Sequence, residues 1–350
     1  MTRYEMAQIV AKAYAKGAIG ADDKLMAEFA DELDNLGVRV AKLEKKADNV
    51  KITGQFRAGY KAYDNSFDNN NGISPLYKAE GRTRLFINGE VNPDWSYGAM
   101  IENTHKFNTN SEDEATTKFR RAFVTGNLGS GVKVTAGRQY FKVGAGYVAD
   151  LTGDAVKVDF GKVLKGTAFY GRFDSDIYTS NPASYDTYGL NLSYGLTKDL
   201  ELRAAYYNVD DNDLVSVFDR NIYTVGLGYN FDKNTNLYAE YLKASEESYG
   251  EDNGWAATLN YKGAKANKVG SWGMYVSYYD QPSATIIDHM SEFAGDVKNF
   301  NGYGIKGYEV GTSYTLAKNV VGEVSYYDFD TNADTDYDNN MLWTRVTFSF

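Results

Sequence analysis

From Lys51 onward the chain repeats one pattern, in which apolar and polar side chains alternate residue by residue over runs of about ten. Thr83, Leu85, Ile87, Gly89 and Val91 alternate with Arg82, Arg84, Phe86, Asn88 and Glu90. Tyr223, Val225, Leu227, Tyr229 and Phe231 alternate in the same way with Ile222, Thr224, Gly226, Gly228 and Asn230. A period of two excludes helix. Runs of this kind fall near 51–64, 81–92, 95–106, 118–128, 132–140, 154–160, 164–175, 185–195, 199–209, 221–231, 235–246, 253–262, 270–280, 303–316, 320–329 and 340–350. That predicts about sixteen strands, each near the 9 to 11 residues that a tilted membrane-crossing strand needs.

The connections alternate as well. Asn92-Pro93-Asp94, Gly129-Ser130-Gly131, Gly161-Lys162-Val163, Leu196-Thr197-Lys198, Asp232-Lys233-Asn234 and Ala317-Lys318-Asn319 read as tight turns. Between them lie longer polar stretches at 65–80, 107–117, 141–153, 176–184, 210–220, 247–252, 281–302 and 330–339. Short turns at one end and long loops at the other are the mark of transmembrane β-barrels, and a soluble sandwich has no reason to sort its loops by strand parity.

The polar face settles which side meets water. It carries Gln55, Arg57, Lys61, Arg82, Arg84, Glu90, Glu102, Lys133, Arg203, Glu240, Glu309, Glu323 and Arg345, more charge than solubility alone requires. About sixteen strands enclose a lumen too wide for their own side chains to fill, so a water-filled interior and a lipid-facing apolar surface are expected. Trp95, Tyr97, Tyr194, Tyr229, Tyr261 and Tyr314 near strand ends fit aromatic girdles at headgroup level. The 30 Tyr and 34 Gly beside only 4 Pro agree with an all-β chain, because strands favour aromatics and tight turns favour glycine.

Other classes are excluded by composition. No apolar stretch approaches the roughly 18 to 20 residues of a membrane-spanning helix. With 37 basic and 47 acidic side chains the formal charge is 37 − 47 = −10, which argues against nucleic acid as a partner. The absence of Cys rules out disulfides and thiolate metal sites. Gly144-Ala145-Gly146-Tyr147-Val148-Ala149 follows a strand, but no helix-forming stretch comes next to present amides to a phosphate. The acidic run from Asp328 through Asp330, Asn332, Asp334, Asp336 and Asp338 has Ala333 and Asn339 where a calcium loop needs Gly and Glu. His105 and His289 have no ligand partner at helical or turn spacing and read as solvated loop residues. No catalytic residue, metal site or cofactor is expected.

Residues 1–49 follow a different rule. Met26, Phe29, Leu33, Leu36, Val40, Leu43 and Ala47 are spaced 3, 4, 3, 4, 3, 4, the seam of a coiled coil. The same spacing also fits an amphipathic helix packed on a neighbouring element. A helix this short with Gly37 inside it needs partner chains to persist as a stalk. No basic stretch followed by an apolar one precedes it, so an export signal is not expected within the sequence as it stands.

At the other end, Met341 to Phe350 alternates to a terminal aromatic, with Val346, Phe348 and Phe350 on the apolar side. This resembles the C-terminal signal that the outer-membrane assembly machinery reads in β-barrel proteins. Thr2-Arg3-Tyr4-Glu5-Met6-Ala7 resembles the Thr-Arg-x-Glu stretch closing an S-layer-homology (SLH) domain. SLH remnant, stalk and barrel in that order resemble the SLH-domain porins (OmpM-like) of diderm Firmicutes. The resemblance implies three regions: 1–21, the end of a peptidoglycan-tethering domain that would begin upstream of this chain, with Arg3 and Glu5 as remnants of its site; 22–49, a coiled-coil stalk; and 51–350, an outer-membrane porin barrel. It further implies a homotrimer in outer-membrane lipid, an N-terminus in the periplasm, and binding of peptidoglycan or its secondary polymer through the SLH portion.

In porins of this size the loop after the fifth strand commonly folds into the lumen, which here would be 141–153 continuing to Asp154. Asp150 and Asp154 would then face a basic wall of Arg57, Lys61, Arg82, Arg84, Lys133 and Arg345, with Arg203 also lining the pore. Arg120 and Arg121 are adjacent, so alternation allows only one of them into the lumen. Arg138 falls on the apolar parity and has no evident role. The expected function is a general diffusion porin for small hydrophilic solutes and ions, leaning weakly to cations because the outer loops are acidic. A plugged structural tether is an alternative. So is a substrate-specific channel, with Tyr63, Tyr207, Tyr238 and Tyr327 as an aromatic track on the lumen parity.

Overall fold

The computed structural model describes residues 2–15, 18, 24–35, 49–65, 77–107, 116–175, 183–211, 219–248, 250–293, 304–332 and 339–350. It divides into two units, Met1–Lys51 and Ile52–Phe350.

The first unit is helical. Helix α1 spans Arg3–Ala15 and α2 spans Lys24–Glu28, with residues 30–35 again helical. Thr2 and Glu5 form a capping box: the Glu5 amide donates to Thr2 Oγ1 at 3.2 Å, and the Thr2 amide donates to Glu5 Oε2 at 2.6 Å. Arg3 reaches across to Glu32, Nε to Oε1 at 2.6 Å, and to the Glu28 carbonyl at 3.0 Å. The hydrogen bond from Arg3 holds the Glu32 carboxyl below the usual carboxylate range. Ala7, Val10 and Phe29 are buried together, and Met26 and Leu33 pack on them. The first three seam residues, Met26, Phe29 and Leu33, are thus covered by a helix of the same chain, and Arg3 and Glu5 are engaged in building this hairpin. Leu36, Val40, Leu43 and Ala47 lie outside the described residues.

The second unit is a closed barrel of sixteen antiparallel strands, each bonded to its sequence neighbours. In order they are β1 Val50–Asn65, β2 Tyr77–Asn92, β3 Trp95–Lys106, β4 Thr116–Asn127, β5 Lys133–Lys142, β6 Asp150–Phe160, β7 Leu164–Ser175 and β8 Ala183–Gly195. There follow β9 Leu200–Asp211, β10 Arg220–Asn230, β11 Thr235–Ser248, β12 Glu251–Lys262, β13 Trp272–Gln281, β14 Ile305–Ala317, β15 Val320–Asp330 and β16 Asn339–Ser349. The seam pairs β1 with β16 from Gln55↔Ser349 to Asn65↔Asn339. Beyond it, Phe350 and Gly54 exchange two backbone bonds at 2.8 and 2.9 Å, and a Cβ at position 54 would meet the Phe350 ring at 2.5 Å, so a side chain there would displace the terminal ring. Phe348 lies beside Phe56 on the outward face, where both are exposed.

The tight turns follow the chemistry of their residues. Asn92 Oδ1, Thr197 Oγ1 and Asp232 Oδ1 each accept from the backbone amides two and three residues on, as in Asx- and ST-turns. The Asn234 amide holds the Asp232 carboxyl below its ordinary range. Two connections break the expected sorting of lengths. The stretch read as a loop at 247–252 is only residues 249–250, made tight by Gly250 at φ 84°. At the opposite end β12 and β13 are joined by residues 263–271, knitted where the Lys265 amide donates to Ser271 Oγ at 2.7 Å and Thr315 Oγ1 donates to the Lys265 carbonyl at 3.0 Å.

Outward tyrosines form a band along neighbouring strands, with Tyr188, Tyr206 and Tyr223 at ring separations of 6.3 and 5.4 Å. This matches the amphipathic side chains expected at a membrane interface.

Candidate functional site

The interior is not water throughout, contrary to the expectation from barrel width. Among the described residues, two segments fold into the lumen. One is the short connection of residues 143–149 between β5 and β6; the other runs over residues 282–293 after β13 and contains a single 3₁₀ turn, Ser283–Thr285. They pair with each other by backbone: Ile287 donates to the Val148 carbonyl at 2.8 Å and Asp150 to the Asp288 carbonyl at 3.0 Å.

Inward side chains on the surrounding strands hold both segments. The Ala145 amide donates to Glu240 Oε1 on β11 at 3.1 Å, and the Tyr147 hydroxyl donates to Thr258 Oγ1 on β12 at 2.8 Å. Arg220 on β10, 2% exposed, donates from Nε to the Ala284 carbonyl and from Nη2 to the Ile286 carbonyl, both at 2.8 Å. Gly144 is required: at φ 65° its Cβ would stand 2.9 Å from Glu240 Oε1. Burial completes the anchoring. Phe141 meets Phe169 at 4.4 Å and Phe173 at 5.0 Å between ring centres, and Phe293 stacks on Phe329 at 5.6 Å. Tyr63, Tyr207 and Tyr327 belong to this dry cluster rather than to an aromatic solute track. Tyr238 instead carries the Arg203 guanidinium over its ring at 4.8 Å.

His289 is also inside, not solvated. It is buried on the 282–293 segment; its Nδ1 accepts from the Ser291 amide at 3.0 Å and its Nε2 lies 3.0 Å from Gln281 Oε1, the pattern of a neutral imidazole. Burial first, then the charge of Lys142, pushes it down to about 3. His105 is the penultimate residue of β3 and lies beside the Phe107 ring.

Among the described residues, a cavity of about 520 Å³ lies between these segments and the wall of β16 and β1 to β4. Arg57, Lys61, Arg82, Arg84 and Arg345 line it, as the alternation predicted. Trp343 is the platform for three of the cations, with Arg57, Lys61 and Arg345 at 5.1, 4.9 and 4.2 Å from its ring centre. Carboxylates on the same wall hold several of them in place: Glu80 with Arg57 at 3.1 Å, Glu102 with Arg84 at 2.6 Å, and Glu323 with Arg345 through two bonds at 2.6 and 3.0 Å.

Facing them are Asp150, Asp288 and Glu292. Asp150 was anticipated; the other two come from the 282–293 segment, which has no periodic pattern to announce it. Asp150 is fixed by the Tyr140 hydroxyl at 2.6 Å and by Lys142 at 3.2 Å. It turns into the cavity because β4 and β5 stop pairing at Ala122↔Arg138, while β5 and β6 continue to Lys142↔Asp150. The tip of that hairpin therefore leaves the wall.

Asp154, by contrast, is not at the constriction. It binds Arg138 at 2.7 Å across β5 and β6, opposite Arg172, which binds Asp186 at 2.8 Å. These four share a row with outward-facing neighbours, which also gives Arg138 its role. Lys133 is exposed opposite Asp159 and does not line the cavity. Arg203 is tied to Glu201 at 2.6 Å and is likewise outside it.

Arg120 and Arg121 both line the cavity, against the parity argument. A bulge is the reason: Met100 pairs with Arg121 and Ile101 with Phe119, leaving Arg120 as the extra residue. Alternation within one strand carries no sign of such an insertion.

The arrangement is a polar slot with cations on one side and carboxylates on the other, beside a dry aromatic filling. Comparison with known proteins agrees with the barrel. The profile of a family described as Gram-negative porin matches residues 125–249, and that of phosphate-selective porin O and P matches residues 50–154. No curated protein sequence matches the chain. Among solved structures, engineered variants of the Rhodopseudomonas blastica porin superpose with TM-scores of 0.53 and 0.54 at 16% identity, over 86% of this chain and 100% of theirs. The chain thus shares the fold of the bacterial porins.

Proposed function

We propose that the protein is a diffusion porin of the outer membrane, passing small hydrophilic solutes and ions through the slot between the arginine wall and Asp150, Asp288 and Glu292. The observation that carries this reading is the charged cavity itself, left open although two chain segments fold into the lumen. A barrel meant only as a structural anchor has no need to maintain opposed rows of charge around an opening. Fields of this kind order water and act on solutes by size and charge without any covalent step.

The assembly reading rests on the resemblance to SLH-domain porins. The protein works as a homotrimer, inserted by the outer-membrane assembly machinery through a C-terminal signal that includes Val346, Phe348 and Phe350. Its N-terminal unit lies in the periplasm and ties the membrane to peptidoglycan or its secondary polymer through an SLH domain of which Arg3 and Glu5 mark the end.

Single-channel recording in planar bilayers tests the channel: stepwise conductance is expected, and a folded barrel that passes no ions would leave the plugged tether. Liposome swelling with sugars and amino acids of graded size separates a general pore, with a smooth size cut-off, from a specific one. Sedimentation of the protein with purified sacculi tests the tether, and a detergent-resistant band of three chains tests the trimer.

A further inference from the structure

We infer that residues 263–271, with the tight turns on either side, form a headgroup site for anionic phospholipid on the outside of the barrel, at its short-turn end. The site rests on the membrane reading of the barrel and is independent of what passes through the lumen.

The connection between β12 and β13 is long where its counterparts are tight, and it is built rather than slack. The Lys262 amide donates to the Asn234 carbonyl at 2.6 Å and the Asn319 amide to the Ala266 carbonyl at 2.7 Å, which binds three neighbouring turns into one body. The Gly270 amide donates to the Thr315 carbonyl and the Thr315 amide to the Ser271 carbonyl, both at 2.9 Å. Backbone held this way presents its side chains in a fixed arrangement.

What it presents is lysine. Lys233, Lys262, Lys265, Lys268 and Lys318 are exposed on this body, and none has a carboxylate within ion-pair distance among the described residues. Asp232, the acid of these turns, accepts from the amides of Asn234 and Thr235 instead. Four outward cations at the long-loop end are treated differently: Arg138, Arg172, Lys243 and Lys306 are paired with Asp154, Asp186, Asp252 and Asp280. Lys262 moreover sits at φ 56°, a conformation that suits glycine or asparagine, so a cation is kept there against backbone preference.

The surroundings select a lipid over a soluble anion. Lys262 Nζ lies 5.0 Å from the ring centre of Tyr261 and 4.8 Å from that of Trp272, which puts an ammonium at the depth of the aromatic girdle. Val269 and Leu316, 59% and 53% exposed, flank the lysines on the same body, with Trp272 and Tyr314 also exposed. A phosphate arriving from water would use the ammonium groups alone. One carried on acyl chains also covers the aliphatic and aromatic side chains, and basic groups at that depth attract anionic headgroups within about a Debye length.

The test places the full chain in phosphatidylcholine nanodiscs containing a small fraction of phosphatidylglycerol, with brominated acyl chains on one lipid or the other. Bromine quenches indole fluorescence on contact, and the part of the signal lost in Trp272→Phe isolates this site. Phosphatidylglycerol should quench Trp272 severalfold more than its mole fraction predicts. Lys318→Gln, and separately the pair Lys265→Gln with Lys268→Gln, should lower that preference about fivefold for each charge removed. Lys262→Asn should lower it as well while thermal unfolding stays unchanged or moves up, because asparagine accepts the left-handed conformation; a damaged barrel would lose both. Lys198→Gln removes the same charge from another turn and should leave the Trp272 signal as it was. Equal quenching by the two lipids, or an equal fall with Lys198→Gln, overturns the site. Displacement by soluble poly(glycerol phosphate) overturns lipid as its occupant. A conducting barrel without headgroup preference leaves the channel reading standing, and a silent barrel that keeps the preference leaves the site standing.

Discussion

The two sides of the lumen solve opposite problems with the same inward-facing positions. On β16 and β1 to β4 those positions carry cations, several of them braced by a carboxylate or the face of Trp343, and they border an open cavity. On β7 to β15 they carry Phe169, Phe173, Tyr207, Tyr279 and Phe329, fully covered by the chain segments folded over them. Barrel width therefore does not decide how much of an interior is wet. The chain fills one side with its own apolar loops, and burial there fixes where the charged slot can be.

The contrast breaks most severely if its dry half is emptied. Phe293, with no exposed surface and in contact with Tyr63, Tyr327 and Phe329, should cost about 3–5 kcal/mol as Phe293→Ala. Loss of heat-modifiable migration at a lower temperature would report it. Arg220→Ala comes next. It strands two buried carbonyls that accept charge-assisted bonds, at about 1.5–3 kcal/mol each. With the 282–293 segment unseated, conductance should rise and larger sugars should enter in liposome swelling. An unchanged size limit would show that this segment does not shape the opening.

Acid should act in the same direction more gradually. Because folding depresses the His289 pKa from 6.5 to about 3, the unfolded state binds the extra proton first. Seating of the segment is then fully supported above about pH 6.5 and weakens as pH falls from there toward 3. Channel noise or protease cleavage followed through that window should increase, and His289→Gln should flatten the dependence. The smallest effect belongs to the wet half. Lys61→Gln removes a cation 3.8 Å from a half-exposed carboxylate and should change barrel stability by about 1 kcal/mol or less in thermal unfolding.

Legibility in the sequence follows the same division. Strands were readable because each must present lipid to one side, and alternation records that demand directly; all sixteen are present. The five basic residues on β1, β2 and β16 were readable for the same reason. Asp154 misled because a residue only four positions from Asp150 stays in the wall while the hairpin tip leaves it. Arg120 and Arg121 depend on one inserted residue, which pattern alone does not reveal. Asp288, Glu292 and the buried His289 sit on a non-repeating stretch. Its signal was nevertheless there: Ile286, Ile287 and Phe293 make residues 282–293 too apolar for a loop in water. Inward aromatics such as Tyr207 and Tyr327 were visible by parity, but whether they meet solute or chain depends on which loop returns.

The pairing of Gln55 with Ser349 joins residues from opposite ends of the barrel sequence. Every intermediate of synthesis therefore presents two unbonded strand edges, and these are quenched together only once the final residues arrive. A polypeptide released early, even by a few positions, would keep a sticky border that hydrocarbon cannot accept. Quality control for such a molecule is written into its last strand.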